Sequence, residues 1–137
     1  MDVGSVRIGV AVSEGSLALA HDTVLMDESA PSRVAEIATA AGAEKIYVGL
    51  PLSLSGDRTK SSDMAIDFAR SLMKQTDLEI MMIDERLSTV SSQRLLREAG
   101  KSTRDSKALI DAESARSILA FALESPGAAK SLGELDA

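Results

Sequence analysis

Four consecutive apolar residues, Ile80, Met81, Met82 and Ile83, constrain this chain more than any other stretch. So short an apolar run reads as a β-strand covered on both faces, and such a strand requires a sheet with other elements packed above and below it. The run breaks abruptly into Asp84, Glu85 and Arg86. In open α/β sheets, ligands bind in the crevice beyond the carboxyl ends of the strands, so this charged triplet marks a candidate site. The plain alternative is a pair of solvated loop acids. Strand alternation sends Asp84 and Glu85 to opposite faces, so only one of them readily joins a shared site.

The remaining elements follow from turn residues and apolar spacing. Residues 2–12 hold the end of one strand, a tight turn at Gly4, and a second strand from about Val6 to Val12. Residues 17–26 supply a third strand, which completes an antiparallel meander. After Pro31, Val34, Ile37, Ala38 and Ala41 recur at helical spacing, and Gly42 stops that helix. Residues 45–49 form a short buried strand. Residues 52–62, polar and carrying Asp57, Arg58 and Lys60, read as a flexible loop, either a substrate lid or an ordinary surface connection. Ala65, Phe68, Ala69, Leu72 and Met73 lay a second helix on the sheet. Ser88 or Thr89 caps a third helix, with Leu95, Leu96 and Ala99 inward and Gly100 at its end. Residues 101–106 make a second polar loop.

The last helix runs from about Lys107 or Leu109 to Leu123, with Asp111, Ala115, Ile118 and Ala122 along its inward stripe. Asp111 either caps a helix starting one residue later or lies on the sheet-facing stripe, where a buried carboxylate requires a partner such as a metal ion. Residues 126–137 read as a disordered tail, and residues 1–125 as one domain without internal repeats. Three strands, then helix, strand, helix, strand and two helices, describe an α/β fold. Its mixed five-stranded sheet joins an antiparallel meander to parallel strands through crossover helices on the faces.

Composition narrows the chemistry. With no cysteine, any metal is held by oxygen ligands, apart from the single nitrogen donor available at His21. No apolar run is long enough to cross a bilayer and no signal peptide opens the chain, so the expected location is the cytoplasm. The net charge is −6, yet residues 86–110 carry six basic side chains against two acidic ones. Such a segment suits phosphate, and Arg86 and Lys107 are candidate contacts. Each has a local alternative, an ion pair with Asp84 or Asp111 contributing at most about 1 kcal/mol if exposed. Asp57, Arg58 and Lys60 are weaker candidates for positioning substrate from the loop.

Four motifs in order resemble the YqgF family of ribonuclease-H-like proteins, associated with pre-16S rRNA processing and earlier with Holliday-junction resolution. They are Asp2-Val-Gly-Ser-Val-Arg-Ile-Gly-Val-Ala-Val12, Val48-Gly-Leu-Pro-Leu52, Asp84-Glu-Arg-Leu-Ser-Thr89, and Asp111 followed by Ser114-Ala115 and Ile118-Leu119. The resemblance implies a ribonuclease-H-like nuclease whose metal-site acids fall on Asp2, Glu85 and Asp111, and it selects Glu85 over Asp84. Divalent ions could then activate water and stabilise the leaving oxygen, and Mg²⁺ or Mn²⁺ suits carboxylate ligands. Three carboxylates converging without metal would repel one another.

The family pattern has a full apolar strand before Asp-Xaa-Gly, here reduced to Met1, so the expectation is a start lying upstream. The expected partner is nucleic acid, structured RNA ahead of a four-way DNA junction, with no membrane and a monomer or weak homodimer. Two phenylalanines and one tyrosine leave little for base stacking, so recognition should rest on backbone shape and charge. Two rival readings remain. Residues 2–10 also resemble the phosphate hairpin of the actin and sugar-kinase ATPases, which requires two such domains. A non-catalytic RNA-binding module would keep the fold without responding to Mn²⁺.

Overall fold

The computed structural model describes residues 1–87 and 104–133, with side chains omitted for residues 104–110. The helix expected after Ser88 lies outside the described residues, as do residues 101–103 of the second polar loop.

The meander forms as expected. Strands β1 (Asp2–Val3), β2 (Arg7–Glu14) and β3 (Leu17–Leu25) pair antiparallel, with Asp2 opposite Gly9 and Arg7 opposite Leu25. Helix α1 (Ala30–Ala40) follows with Pro31 in its first turn, where a missing N–H costs nothing. Its end matches the glycine signal. Gly42 has φ +67°, and the N–H groups of Gly42 and Ala43 reach back to Thr39 and Ala38, closing the last turn as a left-handed residue permits.

Strand β4 (Lys45–Leu50) pairs in parallel with β5 (Glu79–Asp84), Lys45 opposite Glu79 and Leu50 opposite Asp84. Helix α2 (Lys60–Met73) makes the crossover between them. It starts earlier than its apolar spacing suggests, because Thr59 and Ser62 form a reciprocal capping box. The buried Ser62 hydroxyl also donates to the Pro51 carbonyl. The segment read as a flexible loop is consequently shorter, and it closes on itself. The Leu52–Arg58 bridge and the Gly56 N–H donated to Ser53 shape it into a small turn.

Helix α3 (Arg104–Glu124) begins before the expected start. Its sequence has no glycine or proline between residues 104 and 124 to delay it. Asp111 therefore sits two turns inside the helix, and the capping alternative for it is excluded.

Among the described residues the strands do not pair as one five-stranded sheet. Two three-stranded sheets are present, β1-β2-β3 and β4-β5-β6, where β6 (Lys130–Ser131) runs antiparallel to β5. This strand lies within the stretch read as a tail, and the Leu132 side chain beside it is buried in the core. The sheets meet at one residue. The Met1 amine donates to the Tyr47 carbonyl at 2.6 Å, and the Met1 carbonyl accepts from Gly49 N–H at 2.9 Å. With only two residues in β1, this seam is too short to count as a strand pair.

Helices cover both faces. On one side Val3, Ile8, Val10, Ile46, Val48 and Met82 meet Val34 and Ala38 of α1 and Phe68 and Leu72 of α2. On the other, Ile83 meets Ile118 and Ala122 of α3. Each Val, Ile, Leu, Met or Phe among them contributes roughly 1.5–3 kcal/mol by leaving water. Among the described residues no helix is long and apolar enough to cross a membrane.

Candidate active site at the ends of β1 and β5

Two glycines decide how closely the acids approach the sheet. Asp2 pairs with Gly9 across β1 and β2. A Cβ on Gly9 would lie 2.0 Å from the Asp111 backbone carbonyl, so α3 rests directly on the β2 backbone at this point. Asp111 is thereby carried to the strand that faces Asp2. At Gly49, a Cβ would lie 2.6 Å from both Glu85 Oε1 and Ile118 Cδ1. The Glu85 side chain therefore lies over the β4 backbone in the space that Gly49 leaves open. Gly49 also holds Met1, the residue before Asp2.

All three acids are buried, Asp2 at 4%, Glu85 at 2% and Asp111 at 9% exposure. Glu85 opens a 3-10 turn (Glu85–Leu87) immediately after β5, and the alternation expected at this strand end is present. Glu85 turns inward, while Asp84 meets Arg86. Asp2 and Glu85 both act on the Met1 amine. Burial lowers that amine from 8.0 to about 6, and the two carboxylates oppose the shift. Asp111 Oδ2 accepts a hydrogen bond from Arg7 Nε at 3.1 Å.

The remaining candidates lie farther out. Arg86 binds Asp84 through Nε at 3.1 Å and Nη2 at 2.6 Å, the local pairing anticipated for it. Its Nη1 also reaches the Leu54 carbonyl at 3.4 Å, which ties the strand end to the small turn. Asp57 accepts from the Ser55 hydroxyl, and Arg58 bridges Leu52. Lys60 begins α2 and borders an open groove with Asp27, Asp63 and Asp67. The side chain of Lys107 lies outside the described residues.

The donor set suits a hard divalent cation: three buried carboxylates and no sulfur. Two further observations agree with a cation here. Arg7 already places a positive group on Asp111. One turn along α3, the fully buried Ser114 hydroxyl has no hydrogen-bond partner among the described residues, so an oxygen is in reserve. The acids do not stand ready as one cluster, however. Among the described residues no three acidic or imidazole side chains are grouped to hold a metal ion.

Sequence reasoning missed Arg7, Gly9 and Gly49 as parts of the site, and assigned Ser114 no role. A glycine inside a strand does signal close backbone approach, so the two glycines were open to that inference. Nothing near Arg7 pointed to helix α3.

A mixed α/β domain with helices on both faces is compatible with a ribonuclease-H-like fold, and function has to be argued from the site it carries. Residues 1–125 match the family described as RuvX, Holliday junction resolvase, and the chain belongs to that family. It is similar to proteins named "Putative pre-16S rRNA nuclease". The relative from Leifsonia xyli subsp. xyli is 43% identical over 128 residues, covering 90% of this chain and 83% of the relative. That from Clavibacter sepedonicus is 43% identical over 136 residues, covering 96% and 84%. That from Mycobacterium leprae is 46% identical over 125 residues, covering 87% and 67%.

Proposed function

We propose that this chain is a metal-dependent endonuclease that hydrolyses a phosphodiester bond in 5′-end maturation of pre-16S ribosomal RNA. Its catalytic domain comprises residues 1–125, and it acts in the cytoplasm as a monomer or weak homodimer. Asp2, Glu85 and Asp111 are its metal ligands, and the ion is Mg²⁺ or Mn²⁺. The observation that carries the reading is the burial of these three carboxylates around Gly9 and Gly49, in a chain of this family. Burial of several carboxylates is costly unless positive charge compensates it.

When bound, the metal activates water and stabilises charge on the leaving oxygen. The chain's own residues supply position. Glu85 is fixed by its packing over Gly49, and Asp2 by the ladder bond that Met1 makes to Gly49. Arg86 stands between the strand end and the turn at Leu54, where it can meet a backbone phosphate by exchanging its bond to Asp84. Asp57, Arg58 and Lys60 are secondary contacts from that turn and the start of α2. Few aromatic residues are present, so binding depends on phosphate charge and weakens steeply with salt.

A second reading, resolution of four-way DNA junctions, is favoured by the description of the matched family. It requires two active sites in a symmetric dimer. Mn²⁺-dependent cleavage of a pre-16S rRNA precursor and of a four-way junction, run side by side with wild type and Asp111→Asn, separates the two. RNA cleavage lost in the variant supports the processing role. Junction cleavage alone transfers the assignment to the resolvase, and cleavage unchanged by Asp111→Asn overturns the site.

A further inference from the structure

We infer that Arg7 is a positioning residue that stands in for the divalent cation at Asp111 and must be displaced before metal binds. The inference rests on the metal-ligand role proposed for Asp111. Asp111 is a helix residue with a side chain only 12% exposed, and Arg7 reaches it from β2 with a side chain 20% exposed. A carboxylate this enclosed is stable only with a counter-charge, and Arg7 provides it. The contact is weak in form. It uses Nε alone, whereas the strongest guanidinium–carboxylate pairs engage two parallel N–H groups.

Movement of the side chain alone would release the carboxylate. The Arg7 backbone is held at both ends, its carbonyl accepting from Gly4 N–H at 2.9 Å and its register fixed opposite Leu25. The side chain has no such hold. Among the described residues the guanidinium has no hydrogen-bond partner besides Asp111. Arg7 takes Oδ2 alone, but a divalent ion at either Asp111 oxygen would lie within a few ångströms of the guanidinium, and like charges that close repel strongly where water is scarce. Metal and Arg7 therefore compete for Asp111.

Competition makes a prediction opposite to that of a structural ion pair. Removing a merely structural arginine would loosen the site and weaken metal binding, whereas removing a competitor strengthens it. Calorimetric titration with MnCl₂ alone, on the full chain, distinguishes them. Arg7→Gln should bind Mn²⁺ roughly fivefold or more tightly than wild type, the lower end of common coupling energies. Arg7→Lys, which keeps the charge, should stay near wild type. Equal or weaker binding by Arg7→Gln, with binding lost in Asp111→Asn, overturns the inference and leaves the site assignment standing. Unchanged binding by Asp111→Asn overturns the site assignment and the inference with it. If Arg7→Gln does not fold without metal, Mn²⁺ should restore its folding, and failure to do so counts against the competition.

Discussion

Asp84 and Asp111 each meet an arginine, but Asp84 is held by a residue two positions away and Asp111 by one 104 positions away. The first pair lies at the rim of the candidate site, with Asp84 partly exposed and Arg86 about one-third exposed. The second lies on its floor. A local pair can form in the unfolded chain as well, so it adds little to the difference between folded and unfolded states. A long-range pair exists only once α3 has docked on β2, and its presence reports the whole topology. Charge at the rim is thus exchangeable, and charge on the floor depends on the fold around it.

The sharpest way to break that distinction is to neutralise acids on both sides of it. Glu85→Gln and Asp111→Asn should each lower metal-dependent cleavage by more than about 100-fold, beyond the usual cost of losing a group that only supports a metal ligand. Asp84→Asn should remain near wild type in the same assay. Equal losses in all three variants would mean that rim and floor act as one unit.

The two glycines test the floor by space rather than charge. Gly9→Ala would drive a Cβ into the backbone of α3, which cannot yield without moving the helix. Its expected cost is at least about 3 kcal/mol, the upper part of the overpacking range. Gly49→Ala meets the ends of the Glu85 and Ile118 side chains instead, and these can rotate. Its cost should fall nearer about 1 kcal/mol, with a larger loss in cleavage because Glu85 is displaced. Denaturant unfolding and cleavage, measured on both variants, check the two orders.

The seam at Met1 gives a pH signature. In a chain beginning at Met1, burial holds the folded amine at about 6 against an ordinary 8.0. Between these values the unfolded chain binds more protons, so stability should rise with pH. Below pH 6 the penalty of burying charge is fully present, and above 8 it is absent. The expected gain is up to about 2–3 kcal/mol across that window. Residues joined ahead of Met1 turn the amine into a peptide group, and the slope should vanish from their unfolding curves.

How much of this was legible in the sequence follows the same division between local and distant. The meander, the stop at Gly42 and the opposite facing of Asp84 and Glu85 depend on neighbours within a few residues, and each could be read directly. The start of α2 was misplaced because its capping box uses Thr59 and Ser62, polar residues that resemble loop composition. Strand β6 was missed because two residues carry no periodicity, and only Leu132 in the core reveals what anchors them. The Arg7–Asp111 contact was out of reach, since no local pattern pairs the start of β2 with the middle of α3.

The smallest expected effect belongs to the rim. Burial raises the Asp84 carboxyl, but the hydrogen bonds and charge of Arg86 outweigh it and hold the group below 3.8. The stability this pair adds is therefore complete above the unfolded value and lost as pH falls through the lower folded one. Because both partners touch water and lie two residues apart, the contribution should be small. Arg86→Gln should shift unfolding midpoints slightly at neutral pH and not at all once Asp84 is protonated in both states. Should Arg86→Gln prove as destabilising as Gly9→Ala, Arg86 would be holding the turn at Leu54 in place, and the rim would belong to the framework of the fold.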